Sequence, residues 1–132
     1  MQIEYKTEST LDAAEFAEVF RRSGIRRPTE DRPRMQQMID RADLIITARD
    51  AGRLVGVARS LTDFCFACYL SDLAVDSAYQ RQGIGKELVQ RTRQAIGDAT
   101  TLMLIAAPEA NDYYPKIGFE RMDRAWWINR VR

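Results

Sequence analysis

Apolar residues along this chain recur with two different periods, and the switches between them outline its elements. Residues 2–6 alternate weakly, as a first strand would. Leu11, Ala14, Phe16, Val19 and Phe20 then fall at three- and four-residue spacing, the stripe of a helix with one buried face. Ser9 or Thr10 is placed to cap that helix and Gly24 to end it. Residues 26–34 hold two prolines and four arginines and read as a solvated loop. Pro33 suits a helix first turn, after which Met35, Met38 and Ile39 give a second apolar stripe.

Beyond residue 42 the period shortens. Residues 43–49 and 53–61 read as strands joined by Asp50-Ala51-Gly52, with Gly52 taking positive φ. A second hairpin through Thr62-Asp63 leads into a strand over 66–75, so three antiparallel strands are expected. A polar loop at 76–82 precedes a helix over 83–96, which Gly97 stops. A short buried strand over 101–107, a short helix opened by Pro108 and Glu109, and a strand-like aromatic run over 124–131 complete the order. The fold class is α/β in the broad, α+β sense: a mixed, mostly antiparallel central sheet flanked by helices, in a single domain covering 1–132.

Composition narrows the chemistry. At 132 residues the chain can bury about two-thirds of its unfolded surface without staples. A net charge of +1 gives no bulk reason to expect nucleic acid or membrane partners. The N-terminus lacks a signal-peptide pattern and no apolar run is long enough for a membrane span, so a cytoplasmic protein is expected. Cys65 and Cys68 form a CxxC without any further cysteine or histidine, too few ligands for zinc, and read as two reduced thiols in a hairpin. No metal is expected. The absence of histidine also removes the commonest general base, leaving carboxylates, tyrosine, backbone dipoles or a cosubstrate to do any catalysis.

The chemistry-bearing stretch joins a strand to a glycine-turned helix start, in Gln80-Arg81-Gln82-Gly83-Ile84-Gly85-Lys86. Amide N–H groups at a helix N-terminus have no partner within the helix, and the helix dipole adds positive charge there, so two glycines leave room for an anion such as a pyrophosphate. A plain turn with a glycine helix start is the structural alternative. The stretch is not a Walker P-loop, because Glu87 stands where the hydroxyl should follow the lysine. Nor is it a dinucleotide fingerprint, since Leu88 occupies the third glycine's place.

These residues resemble the GNAT superfamily of acyl-CoA-dependent N-acetyltransferases, whose Gln/Arg-x-x-Gly-x-Gly/Ala signature fits Gln80 to Gly85 at every defined position. A second family element, an aromatic pair followed by Lys-x-Gly-Phe, matches Tyr113-Tyr114-Pro115-Lys116-Ile117-Gly118-Phe119. The resemblance implies acetyl-CoA as cosubstrate, with its pantetheine arm along Leu73, Ala74 and Val75. It also implies a pyrophosphate on the amides of Arg81, Gln82, Gly83, Ile84, Gly85 and Lys86. It places the thiolate-protonating tyrosine at Tyr114, with Tyr113 in a packing position near Ala110 and Ile117.

Pro115 departs from the family pattern and is expected to push Tyr114 away from helical geometry. Asp72 lies on the preceding strand, where alternation sets it opposite to Tyr69 and Ser71; it could hold a cationic amine or bond a loop. The implied function is acetyl transfer to a primary amine by direct attack in a ternary complex. A small molecule is the expected acceptor, because the positions at which ribosomal-protein N-terminal acetyltransferases carry Glu and Asn are Leu102 and Ala107 here. A non-catalytic acyl-CoA sensor and a protein lysine or N-terminal acetyltransferase remain the alternatives, and either a monomer or a homodimer is compatible.

Overall fold

Each helix carries one apolar stripe, and a sheet has two faces to cover, so the architecture follows from which stripe meets which face. The computed structural model describes residues 2–131. Its elements are β1 (Ile3–Thr7), α1 (Ala13–Ser23), α2 (Arg32–Asp40), β2 (Leu44–Asp50), β3 (Arg53–Thr62), β4 (Ala67–Val75), α3 (Ile84–Ile96) and β5 (Thr101–Met103). Single 3-10 turns form at Ser77–Tyr79, Pro108–Ala110 and Tyr114–Ile117. The sheet runs in the order β1-β2-β3-β4-β5, antiparallel except for the parallel β4–β5 pair.

One face is covered by α1 and α2, whose Phe16, Phe20, Met35 and Ile39 pack with Ile45, Leu54, Val57 and Ala74. The other is covered by α3, whose Ile84, Leu88, Val89 and Ile96 pack with Ile46, Ala48, Val55, Ala58 and Leu70. Gly56 sets how closely α3 can lie. A Cβ there would come within 3.2 Å of both Ile84 Cγ2 and Leu88 Cδ1.

Local chemistry explains the ends of the elements. The cap of α1 is Asp12, not Ser9 or Thr10: the helix begins only at Ala13, and the Asp12 carboxylate accepts the Ala14 N–H at 3.2 Å. The β2–β3 turn places both Ala51 (φ 51°) and Gly52 (φ 87°) in the left-handed region, the geometry that matches strand twist in a two-residue hairpin. At the β3–β4 hairpin, Asp63 Oδ1 accepts from the N–H groups of Cys65, Phe66 and Ala67. Those bonds, Ala67 foremost, hold the carboxyl far below the usual range. Cys65 is exposed on this turn and Cys68 is buried on β4, both as free thiols.

Two expected strands differ. The run over 101–107 pairs only through Met103, because β4 offers β5 no partner beyond Tyr69. Among the described residues, the aromatic run over 124–131 forms no strand, and Trp126 is 94% exposed. The expected helix at Pro108 is likewise a single 3-10 turn.

An ion-pair network ties β1's end to the α1 layer. Arg49 donates to Glu8 at 2.8 and 3.0 Å and to Glu15 at 3.0 and 3.2 Å. The Arg49 hydrogen bond is the main reason that the Glu8 carboxyl titrates below its ordinary 4.5. A carboxyl lowered in the folded state binds its proton more readily when unfolded, so its stabilisation is present above that value and lost as pH falls through the folded one. Urea midpoints measured through the acid range should therefore drop below pH 4.5, and Glu8→Gln should flatten part of that slope while lowering the midpoint at neutral pH.

Candidate active site

β4 contains one residue more than its partner strand needs. Asp72 is opposite Arg59 and Leu70 is opposite Ser60, so Ser71 is an unpaired bulge. The bulge turns the strand's faces over. Leu70 and Leu73, three apart, both face the α3 core, whereas Ala74 faces the α1–α2 core. Plain alternation therefore fails here: Asp72 lies on the same face as Tyr69, not opposite to it.

Two arginines hold the bulge in place. The buried Asp72 carboxylate accepts from Arg27 Nε on Oδ1 and from Arg59 Nε on Oδ2. Arg27 Nη2 also donates to the Ser71 carbonyl at 2.9 Å, and Arg59 Nη2 donates to the Ser71 hydroxyl at 3.1 Å. Arg59 reaches further to the Met38 carbonyl at 3.3 Å. The Arg27 guanidinium lies 5.7 Å from the centre of the Phe20 ring. Arg27 belongs to the segment expected to be a solvated loop. It is instead drawn onto the sheet, and Asp72, with both oxygens taken, bonds that loop.

Past the bulge, β4 has a free edge. β5 pairs only with Ala67, Cys68 and Tyr69. Asp76 N–H donates toward β3, to Val55 O at 2.8 Å, so by alternation the backbone groups of Val75 and Leu73 point to the open side. Ala74 stands opposite Val57, its side chain buried among α1 and α2 residues, and its backbone groups turn toward β3. Of the three strand residues expected to meet a pantetheine, Leu73 and Val75 thus present their backbones to the open edge, and Ala74 does not. The Val75 carbonyl already accepts from Gln80 Nε2 at 2.9 Å.

The loop after β4 is more ordered than a polar linker. Asp76 is buried, caps the turn at Ser77–Tyr79 by accepting the Ala78 N–H at 2.9 Å, and accepts from Arg53 Nη2 at 2.9 Å. Tyr79 donates its hydroxyl to Asp50 at 2.6 Å. Arg81 (φ 66°) and Gly83 (φ 85°) both take the left-handed conformation, which bends the chain into α3. Gly83 is the N-cap, and no side chain caps the helix, so its first amides are left for another acceptor. Ile84 is buried under α3, while Gln82 and Lys86 flank the helix start.

Gly85 is needed for space, not conformation. A Cβ there would lie 2.9 Å from the Tyr113 hydroxyl and 3.9 Å from Val75 Cγ2. The chain after β5 thus returns to lay Tyr113 across the first turn of α3. Tyr114 sits beside it, with ring centres 5.3 Å apart, and packs edge-on against Phe119 at 5.5 Å. Burial pushes both phenols above 10.0; at Tyr114 the neighbouring Tyr113 adds to the rise and Arg27 opposes it. Tyr113 therefore faces the glycine loop, and Tyr114 lies within electrostatic reach of the bulge arginine. Pro115 does not displace Tyr114 from the turn, because the 3-10 hydrogen bonds use the N–H groups of Lys116 and Gly118 instead.

Sequence reasoning missed Arg27, Arg59 and the contact of Tyr113 with Gly85. The Asp76-to-Ala78 cap was readable as an Asx turn; the arginine grip, formed across 45 residues for Arg27 and Asp72, was not. Removing the anion between two arginines leaves uncompensated buried charge. Asp72→Ala should destabilise the fold by about 3–5 kcal/mol in urea denaturation, against about 0–1 kcal/mol for Glu87→Ala, whose pair with Arg91 is exposed.

Among the described residues, no cluster of three His, Cys, Asp or Glu could hold a metal, and no helix is long and apolar enough to cross a membrane. Residues 10–128 match the family described as an acetyltransferase (GNAT) domain. An Arabidopsis thaliana protein, GCN5-related N-acetyltransferase 2, chloroplastic, is 37% identical over 70 residues, 52% of this chain and 27% of its own length. The chain thus spans about a quarter of that relative. Its fold superposes on a GNAT-family acetyltransferase from Streptococcus pneumoniae with a TM-score of 0.80 at 23% identity, covering 98% of this chain and 99% of the other. A structure of the PaiA N-acetyltransferase from Thermoplasma acidophilum in complex with coenzyme A superposes with a TM-score of 0.77 at 20% identity, covering 95% and 94%. With the family matched across most of its length and the five-stranded sheet in the same fold, the chain belongs to the GNAT acetyltransferase family.

Proposed function

We propose that this domain transfers an acetyl group from acetyl-CoA to the primary amine of a small molecule, by direct attack with both substrates bound. The observation that carries this reading is the open edge of β4 running into an uncapped, glycine-turned helix N-terminus. A pantetheine arm is a chain of amides. It can complete a sheet edge as a strand does, while the adjoining pyrophosphate meets the helix amides. The residues present fit that group: Leu73 and Val75 would hold the pantetheine, and the amides around Gly83, Ile84, Gly85 and Lys86 the pyrophosphate. Arg81 and Gln82 shape the turn between them. When bound, acetyl-CoA supplies an activated thioester, so the protein needs no covalent nucleophile.

The chain's own part is to position and to move protons. The Ser71 bulge swings β4 away from β5 and opens the cleft in which an acyl oxygen can meet backbone N–H groups. Tyr114 is the proposed proton donor to the departing thiolate. Its place within electrostatic reach of Arg27, and so near the bulge, favours it over Tyr113, whose hydroxyl lies against Gly85 at the pyrophosphate end. Asp72 is excluded as a free base by its two arginine partners. Leu102 and Ala107, standing where ribosomal-protein N-terminal acetyltransferases carry Glu and Asn, support a compact amine over a peptide N-terminus.

Release of CoA thiol across a panel of small amines and lysine peptides tests the reading. Turnover with an amine supports it, turnover with peptides alone moves the acceptor to proteins, and acetyl-CoA binding without turnover favours a sensor.

The glycines generate one expected outcome. Gly83→Val puts a β-branched residue at φ 85°, and Gly85→Val drives a side chain into the Tyr113 hydroxyl and the anion's approach. Calorimetry should show acetyl-CoA binding weakened by about 2 kcal/mol in each, the scale of one or two charge-assisted hydrogen bonds. Unchanged affinity in both folded variants would remove the pyrophosphate assignment.

Tyr114→Phe keeps the ring packed and deletes the hydroxyl, so kcat should fall roughly tenfold or more with acetyl-CoA Kd nearly unchanged. Tyr113→Phe should do little. A phenol raised above its ordinary 10.0 stays protonated at neutral pH, so the activity loss caused by its deprotonation should appear only in the alkaline range and be absent in Tyr114→Phe. Wild-type kcat in Tyr114→Phe, or a loss confined to Tyr113→Phe, sinks the assignment.

A further inference from the structure

The cluster at the bulge does not balance its own charge. Arg27 and Arg59 share the single Asp72 carboxylate, and among the described residues neither guanidinium pairs with another acid. A charge withdrawn from water is ordinarily matched by an opposite one, and this cluster holds one positive charge in excess. The excess reaches solvent at Arg27, whose side chain is 28% exposed, while Asp72 and Arg59 are buried. The chain around it adds to the bias: residues 21–34 carry six arginines against Glu30 and Asp31.

Arg27 also has donors to spare. A guanidinium carries five N–H groups. Here Nε donates to Asp72, Nη2 to the Ser71 carbonyl at 2.9 Å and Nη1 to the Arg26 carbonyl at 2.6 Å. Among the described residues, one N–H on each terminal nitrogen is thus left for a ligand. The side chain that offers them is already held by three bonds and by the Phe20 ring. A planar donor group fixed in advance suits a carboxylate.

Position decides which molecule brings that carboxylate. Residues 23–27 run beside β4: the Ser23 carbonyl accepts from Gln80 Nε2 at 3.4 Å, next to the glycine loop, and Arg27 meets Ser71 at the bulge. A pantetheine laid along Val75 and Leu73 from a pyrophosphate at Gly83 brings its sulfur to the Ser71 end of this stretch. Tyr114, the proposed proton donor to that sulfur, lies within electrostatic reach of Arg27. An amine attacking the thioester therefore arrives beside a partly exposed guanidinium with unmatched charge.

We infer that the acceptor is a primary amine that also bears a carboxylate, an amino acid or a close relative of one, and that Arg27 binds this carboxylate and sets the specificity. The inference rests on the acetyl-transfer reading above. One carboxylate cancels the excess charge, whereas a phosphate monoester, with roughly two negative charges at neutral pH, overshoots it. A polyamine fits worst, because it adds positive charge where the one carboxylate has both oxygens taken.

The test is CoA thiol release with α-, β- and γ-amino acids, each compared with its carboxamide, its aminophosphonate and the corresponding diamine. For the best skeleton, kcat/KM for the acid should exceed that for the carboxamide at least tenfold, the scale of a charge-assisted contact. Arg27→Gln should erase that ratio, and Arg27→Lys, which keeps the charge and loses the planar fork, should reduce it. The ratio is internal to each variant, so a general loss of activity from a disturbed bulge does not mimic it. Equal use of acid and carboxamide by the wild type, or a preference for the aminophosphonate or the diamine, overturns the inference and leaves acetyl transfer standing. So does turnover confined to amines outside the panel. An acid preference undiminished in Arg27→Gln overturns the role of Arg27. Acetyl-CoA bound with no amine turned over fails the transferase reading itself, and this inference with it.

Discussion

The grip of Arg27 and Arg59 on Asp72 and Ser71 is the constraint from which the rest of the site follows. An extra residue in a strand has no ladder partner, so something other than the sheet must hold it. Here the two arginines bond its carbonyl, its hydroxyl and the carboxylate of the next residue. The bulge reverses which side chains face which core, and β5 follows β4 no further than Tyr69. An open backbone edge is thereby created inside a folded domain, where an unpaired amide would ordinarily be a defect.

The edge is useful only if it leads to a second binding element, and the loop after β4 secures that. Buried Asp76 fixes the loop to Arg53 and to its own turn, Tyr79 ties it to β2, and Gln80 returns to the Val75 carbonyl. The start of α3 is thus held relative to the strand by side chains, while its own amides stay uncapped. Gly56 on the sheet and Gly85 on the helix are the two places where a side chain would force these parts, or Tyr113, to move. Positioning of this kind, with backbone donors preset by buried neighbours, is how a site without histidine or metal ligands can act on a thioester.

Much of this was legible in the sequence, and the gaps have physical causes. Helix stripes, the Ala51-Gly52 turn and the glycine-turned start of α3 are local signals, and the structure carries them where their periodicity and turn chemistry put them. The bulge at Ser71 was not legible, because a single extra residue leaves the apolar alternation of β4 outwardly intact and betrays itself only through its pairing with β3. Arg27 was lost for a related reason: an arginine in a proline-rich loop looks solvated until its partner 45 residues away is known. The α1 cap moved to Asp12 because three plausible caps precede one helix and only backbone geometry chooses among them. Tyr113 and Tyr114 are adjacent in sequence, and only the folded chain shows that the Tyr113 hydroxyl lies against Gly85 while Tyr114 packs on Phe119 within electrostatic reach of Arg27.

The run over 125–131 shows a different limit of sequence reading. Its composition asks for a strand, and that demand is a statement about burial, not about which molecule supplies it. Period and propensity are the same whether a strand completes its own sheet or a neighbour's. Sequence pattern carries no information on that choice, because residues 117–124 line a cavity with Leu102 of β5 while Trp126 and Trp127, a few residues on, stand exposed.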